Sequence, residues 1–367
     1  MKLTEITLTQ FRTYQKQHLT LGSGIHFLVG DNGVGKTNFL EAIHVLGLAK
    51  SYKGEEDDLI RYEQSFAKVS AVVAVGGRER TLSIILSDLG KKAMVNQTEI
   101  KRLSDYIGLL NIVAFTPDSM ELIKGAPVGR RYFLDVFLGQ SDKAYFLALA
   151  AFKHVLKQRN ELLKQYVHSH QIDEIFMDVL GDQFARTAEE IVAKRAAFLT
   201  DVAGRANQIF GFLSGRADSL ELTYQPSVER DFKATLQTKL KSDLHQGTTL
   251  FGPHRDDFTF VLAGKPAKDF ASQGEQRLAI LSLNLAMVDY MTDRTGEIPV
   301  LLLDDVFSEL DNDKQNRLVR FLQDSGAQVI ITTTSLSDIA ESNLSQTKRY
   351  IVTKGKIRED LTNGPKS

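Results

Sequence analysis

The 367-residue chain contains no cysteine, so neither a disulfide framework nor a thiolate metal site can form, and nothing calls for an oxidising compartment. It also lacks any apolar run near the roughly 20 residues needed to span a bilayer. Charge of one sign is not in excess either: 45 basic residues against 46 acidic ones leave a net charge of −1. That balance argues against a polybasic protein coating nucleic acid through bulk charge. A local basic surface, or one assembled from two copies, stays compatible, because affinity follows the phosphates neutralised. No internal repeat is visible, and no long heptad run supports a coiled-coil arm of many tens of residues. Residues Met1 to Gln10 alternate apolar and polar and read as a strand rather than a secretory signal, so a cytoplasmic protein is expected. What is present is 43% hydrophobic and 25% charged residues, enough for a large core in one elaborated domain or two to three lobes.

Within that ordinary composition, Gly30 to Thr37 read GDNGVGKT, a full G-x-x-x-x-G-K-[ST] match following the apolar run Ile25, Phe27, Leu28, Val29 and preceding a helical pattern. Glycines at 30, 33 and 35 suit positive φ and close backbone approach, so the N–H groups of Gly30, Asp31, Asn32, Gly33, Val34, Gly35 and the residues to Asn38 can converge on phosphate oxygens. Lys36 is then expected to reach the β and γ phosphates of ATP, and the Thr37 hydroxyl to ligate Mg²⁺.

Around this motif, Leu3 to Thr9, Gly24 to Val29, Ser65 to Val75 and Arg80 to Leu86 read as strands, with hairpin turns at Gly76-Gly77 and Asp88 to Gly90. From about Pro117 to Leu244 the texture turns helical, notably over Ala144 to Val167 and Glu174 to Phe212. Mixed α/β patterning then returns, with a strand over Val300 to Leu303, a helix from Asp311 and a strand over Val329 to Thr333.

The apolar strand that follows Ile298 ends in Asp304-Asp305. A strand covered on both faces opens at its carboxyl end onto a ligand crevice, which places Asp304 to hold Mg²⁺ and Asp305 to polarise an attacking water. Capping of a following helix is the plainer alternative for such an aspartate. Ser272 and Glu275 form a capping box ahead of Leu278, Leu281 and Leu285, and capping alone would account for them too. Yet the order Ser272-x-Gly274-Glu275, a Leu-rich helix, then the two aspartates some thirty residues on resembles an ABC-type signature, in which serine and glycine meet the γ phosphate held by another subunit. Ser308 to Asp311 matches the D-loop of that class, and Thr332, Thr333 and Thr334 stand where many relatives place a switch histidine, so γ-phosphate sensing would use a hydroxyl or be weaker, while strand propensity alone would also account for threonines there.

Taken together, Gln10-Phe11-Arg12-Thr13-Tyr14, the Gly30 to Ile43 stretch, Pro127 with Arg130 to Asp135, Gly252 to Asp257, Ser272 to Arg277 and Asp304 to Asp311 resemble the RecF family, recombination-repair ATPases of the SMC and Rad50 branch. The resemblance implies an α/β fold: a P-loop ABC-type ATPase head with an inserted helical lobe, divided as 1–118, 119–245 and 246–367. It also implies an ATP-dependent homodimer in which the cradle of one subunit and Ser272, Gly274 and Asp311 of the other enclose the nucleotide, with Arg12 beside it. Catalysis would fall to Lys36, Asp304 and Asp305, and Mg²⁺ to Thr37 and Asp304. Binding to gapped DNA and single-strand/double-strand junctions, RecA loading with RecO and RecR, slow hydrolysis and no membrane attachment follow from the same likeness. Two departures stand out: Ser51-Tyr52-Lys53 replaces the family's S-x-R, and Thr116 stands near the usual Q-loop glutamine.

A transporter's nucleotide-binding subunit is the rival reading, and an SMC-like DNA tether a third that would need the missing coiled coil. For DNA, the candidate phosphate contacts are Lys153, Lys157, Arg159 and Lys164 on the first lobe helix and Arg186, Lys194, Arg195 and Arg205 on the second, among nearly as many acidic residues.

Overall fold

A computed structural model describes residues 1–216, 219–337, 339–344 and 347–360. The chain divides into two compact units, one built from 1–119, 208–217 and 273–367, the other from 120–207 and 218–272.

The first unit begins with β1 (Lys2–Phe11), β2 (Tyr14–Thr20), β3 (Ile25–Val29), the helix α1 (Lys36–Leu48), β4 (Phe66–Val75), β5 (Arg78–Ser87), β6 (Gly90–Val95), β7 (Thr98–Ile100) and β8 (Ile112–Phe115). Six of these strands form an antiparallel sheet in the order β2-β1-β4-β5-β6-β7. Gly76 and Gly77, at φ 55° and 74°, make the two-residue turn between β4 and β5 as expected for a tight hairpin.

The second unit opens with α2 (Glu121–Lys124), α3 (Pro127–Ser141), α4 (Lys143–Ser169) and α5 (Glu174–Ser214), the last of which runs into the first unit. It continues with β9 (Leu220–Gln225), α6 (Phe232–Gln246), β10 (Asp257–Leu262), β11 (Lys265–Pro266) and α7 (Ala267–Phe270). The stretch read as helical therefore contains a strand: β9 pairs antiparallel with β10, Leu220 opposite Leu262 and Gln225 opposite Asp257. Its alternation, Leu220-Glu-Leu-Thr-Tyr-Gln225, is short, and only its partner thirty residues later makes it a strand.

The chain returns to the first unit with α8 (Gln273–Thr295), β12 (Val300–Leu303), α9 (Asn312–Asp324), β13 (Val329–Thr333), α10 (Glu341–Leu344), β14 (Thr347–Thr353) and β15 (Lys356–Glu359). A second six-stranded sheet follows the order β15-β14-β3-β13-β12-β8, parallel throughout except at β15. Its central strands are buried nearly along their lengths, which is why they read as mostly apolar runs, broken only by His26 in β3 and by Thr332 and Thr333 in β13. Between this sheet and the antiparallel one lies the core that holds Phe39, Ile43 and Leu46 of α1 against Leu8, Val69 and Ile84. On α8 Leu278, Leu281 and Leu285 are buried, and burial extends without a break from Gln276 through Val288, with polar Ser282 and Asn284 bonding the carbonyls of Leu278 and Ile280 on their own helix. Among the described residues no helix is long and apolar enough to cross a membrane.

Candidate functional site

The loop joining β3 to α1 leaves the carboxyl edge of the parallel sheet, and its glycines are there for two separate reasons. Gly33 and Gly35 hold φ of 80° and 111°, where an L side chain is strained. Gly30, expected to share that conformation, does not; it is fixed by close approach, since a Cβ there would lie 2.4 Å from the Val352 carbonyl oxygen. At Gly35 a Cβ would also meet Thr13 Oγ1 at 2.7 Å, and its carbonyl accepts a hydrogen bond of 2.9 Å from the buried Tyr14 hydroxyl. The loop is thus clamped from behind by Thr13 and the start of β2, while nothing lies within 4 Å of a Cβ placed at Gly33.

Helix α1 starts at Lys36 with no capping side chain and no acidic residue in its first turn. Its orphan N–H groups and positive dipole end are left for an external anion. Lys36 folds over the loop, its ammonium donating to the carbonyls of Gly30 at 2.5 Å and Asp31 at 2.9 Å. Burial pulls its pKa below the ordinary lysine value, while Asp305, Asp304 and Asp31 push it back.

Asp304, 2% exposed at the end of β12, receives Thr37 Oγ1 at 3.0 Å and Thr332 Oγ1 at 2.6 Å on the same carboxylate oxygen. Burial raises its pKa above the usual carboxylate value, against those two hydroxyls and the charge of Lys53. Asp305 sits at φ 51°; its N–H donates to Thr332 Oγ1 at 2.9 Å and its carbonyl accepts from Arg277 Nη2 at 2.6 Å. Its carboxylate takes part in no hydrogen bond among the described residues, leaving it available in the crevice. Thr332 is therefore the hinge of the pair, donating to one aspartate and accepting from the backbone of the next. The sequence offered its hydroxyl for γ-phosphate sensing, and the strand pairing of β13 with β12 places that hydroxyl beside Asp304. Of its neighbours, Thr333 donates to the Ser335 carbonyl at 2.8 Å and Thr334 is exposed.

Arg12, at φ 49°, makes a bidentate pair with the fully buried Glu41 of α1 at 2.9 Å in both branches, and Ser51 Oγ donates to the same carboxylate at 2.6 Å. Glu41 was not singled out in the sequence, although a carboxylate inside Phe39-Leu40-Glu41-Ala42-Ile43 is a signal of its own, because such a group needs partners. Arg12 also lines, with Thr13 and Asn38, a cleft of about 930 Å³ beside the loop. Tyr52 reaches the Thr37 carbonyl at 3.4 Å, while Thr116 is buried and receives Ser119 Oγ as acceptor for its N–H at 2.9 Å.

The fold thus gathers Lys36, Thr37, Asp304 and Asp305, with Arg12 anchored on the next turn of α1. It does not bring Gly274 or Asp311 into hydrogen-bond contact with them. Asp311 caps α9, accepting from Lys314 N at 2.9 Å, and Ser272 and Gly274 are exposed at the start of α8.

These residues fit a magnesium nucleotide. An uncapped helix start over a glycine loop suits phosphate, and a hydroxyl beside one buried carboxylate is the sparse hard-oxygen set that magnesium uses together with phosphate oxygens. The RecF/RecN/SMC N terminal domain family matches residues 2–357. The DNA replication and repair protein RecF of Shouchella clausii is 38% identical over 98% of this chain and 99% of its own, and that of Listeria monocytogenes serotype 4b 38% over 98% and 100%. The chain belongs to the RecF family. A solved structure described as the recombination mediator protein RecF-ATP in the RecFOR pathway superposes with a TM-score of 0.88 at 29% identity, covering 98% of this chain and 97% of that one. The fold is accordingly the α/β ABC-type ATPase head of the RecF and SMC family with a helical insertion.

In this RecF-family chain the two other resembling motifs form one network inside the second unit. Arg130 of α3 grips Asp257 through bonds of 2.6 and 2.8 Å. Arg195 of α5 joins Asp135 at 2.8 Å, the Pro253 carbonyl at 2.7 Å and Asp256 at 3.6 Å. Two of the candidate DNA contacts are thereby corrected. Arg195 is 2% exposed, and Arg159 is 1% exposed and paired with the buried Asp243 at 2.9 Å, so both guanidiniums serve the interior. Periodicity showed them on a charged helix and could not show which face the neighbours would cover.

Proposed function

We propose that this chain is an ATP-dependent DNA-binding protein of recombinational repair and replication, with a slow, DNA-stimulated ATPase. The observation that carries the reading is the start of α1, where a glycine loop and an uncapped helix end stand beside a buried carboxylate that has only hydroxyl donors. Backbone N–H groups of Gly30 to Asn38 and Lys36 would hold the phosphates of ATP, and Thr37 and Asp304 would hold Mg²⁺. A bound magnesium ion would supply charge neutralisation on the phosphates. Asp305 would orient and deprotonate the attacking water, and being one methylene shorter than glutamate it would do so slowly.

Two copies would close around two nucleotides, Ser272, Gly274 and Asp311 of one completing the site of the other. Their exposure at the head of α8 and before α9 supports that role, as does the likeness to a protein described with ATP in the RecFOR pathway. Dimerisation on gapped or junction DNA would then be gated by ATP, and the protein would act with RecO and RecR in loading RecA. Slow hydrolysis suits a switch.

Light scattering tests the arrangement. ATP is expected to raise the mass toward that of a dimer, more so with duplex DNA, and Ser272→Arg to abolish the increase while retaining ATP binding. Normal pairing of the mutant on ATP would end the assignment of Ser272.

A further inference from the structure

The network of Arg130 to Asp135 with Gly252 to Asp257 leaves charge over. Asp257 is occupied by Arg130, and Asp135 by Arg195 and the Tyr145 hydroxyl at 2.6 Å. Buried Asp256 accepts from the Tyr224 hydroxyl at 2.5 Å and the Ser227 N–H at 2.7 Å, with Arg195 nearby. Arg131 donates to the Asp256 carbonyl at 2.9 Å, a neutral acceptor that fixes the guanidinium without cancelling its charge. That carbonyl belongs to the residue after Arg255, so both arginines stand on one stretch of surface. Arg255 is exposed, and its guanidinium makes no hydrogen bond or ion pair among the described residues. Lys153, 63% exposed, reaches Asp135 at 3.6 Å and adds a fifth cation against three carboxylates.

From Lys153 the basic residues continue along the exposed face of α4 through Lys157, which stands 4.0 Å from exposed Glu161, and Lys164. Eleven residues at 1.5 Å each make about 17 Å, or about five base steps at 3.4 Å. His254 is not a further donor to an anion: its Nε2 engages the Thr249 carbonyl at 3.1 Å and burial lowers its pKa to about 4, leaving the ring neutral.

We propose that Arg131 and Arg255, with Lys153, Lys157 and Lys164, form a track for the phosphate backbone of nucleic acid. This rests on the DNA-binding reading above and replaces the inward Arg159 and Arg195 with exposed Arg255 and half-buried Arg131. A free guanidinium fork matches phosphate oxygens bidentately, which a lysine cannot do. No base preference is expected, because such contacts carry none.

Fluorescence anisotropy of a labelled gapped duplex, with ATP and across a KCl series, tests it. Arg255→Ala is expected to weaken binding about eightfold at about 0.1 M salt and lower the log–log salt slope by about 0.9, the effect of one lost phosphate contact. Arg255→Lys should restore most of the affinity and the slope, and Lys233→Ala, which removes a cation paired with Asp182, should change neither. Unchanged affinity for a fluorescent ATP analogue checks that Arg255→Ala is folded. If wild type binds the duplex and Arg255→Ala keeps both affinity and slope, the track is wrong and the DNA reading survives. If wild type binds no duplex in any nucleotide state, the DNA reading itself falls and takes the track with it. Displacement of the duplex by poly-glutamate at equal charge would overturn the phosphate assignment in favour of an acidic protein.

Discussion

Two groups of buried and half-buried aspartates in this chain are finished to different degrees. In the helical unit Asp257, Asp135 and Asp243 each meet an arginine within 2.9 Å, and α4 and α6 are capped by Asp142 and Asp231. At the edge of the parallel sheet Asp304 has two hydroxyls and no cation in contact, and α1 has no cap. Protein supplies the compensating charge in one place and leaves it to be supplied in the other. A buried carboxylate kept without a cation is costly, and burial raises the Asp304 pKa accordingly, which supports the proposed Mg²⁺ position there. Fully paired arginines mark structure, even when their sequence neighbourhood looks like a nucleic-acid surface.

The sharpest way to break this contrast is at Arg195. Arg195→Ala is expected to cost about 3–5 kcal/mol in urea unfolding, because fully buried Asp256 and half-buried Asp135 would lose the guanidinium they share. A loss below about 1 kcal/mol would mean the network is not closed. At the unfinished site the expected loss is in function: Lys36→Arg should leave the melting temperature near wild type and retain some ATP affinity, while hydrolysis falls about 10²–10³-fold in a phosphate-release assay.

The pH dependence divides along different lines. Burial lowers His26, His44 and His254 to about 4, below the ordinary 6.5. These rings stay neutral when folded and take up protons when unfolded, so stability is present above about 6.5 and is lost as pH falls toward 4. Proton NMR should show these three of the eight histidines titrating near 4, and melting temperatures should fall across the same window. Asp304 has the opposite sign: its raised value favours the protonated form in the fold, so its ionisation costs stability as pH rises above the usual carboxylate range. The smallest effect belongs to the exposed pair of Lys157 with Glu161 at 4.0 Å, where Lys157→Ala should change stability by less than about 0.5 kcal/mol.

Much of this was legible before any coordinates. The glycine loop, the Val300–Leu303 and Val329–Thr333 strands and the two long helices appear where their patterns put them, because each is specified by near neighbours. Strand β9 was hidden in a helical neighbourhood, since its partner β10 lies far along the chain. Glu41 was hidden because its partners Arg12 and Ser51 come from two other segments.

By itself, then, the sequence determined a glycine loop between a strand and a helix, a strand ending in two carboxylates, and membership of a family whose motifs it carries. Periodicity and turn chemistry act over a few residues, and those features need no more. Only the tertiary structure decided that Thr332 bridges the two aspartates, that Arg159 and Arg195 face inward, and that Arg255 stays exposed beside an Arg131 held on the Asp256 carbonyl. Burial and pairing depend on which distant segments arrive beside a side chain, and no local pattern records that.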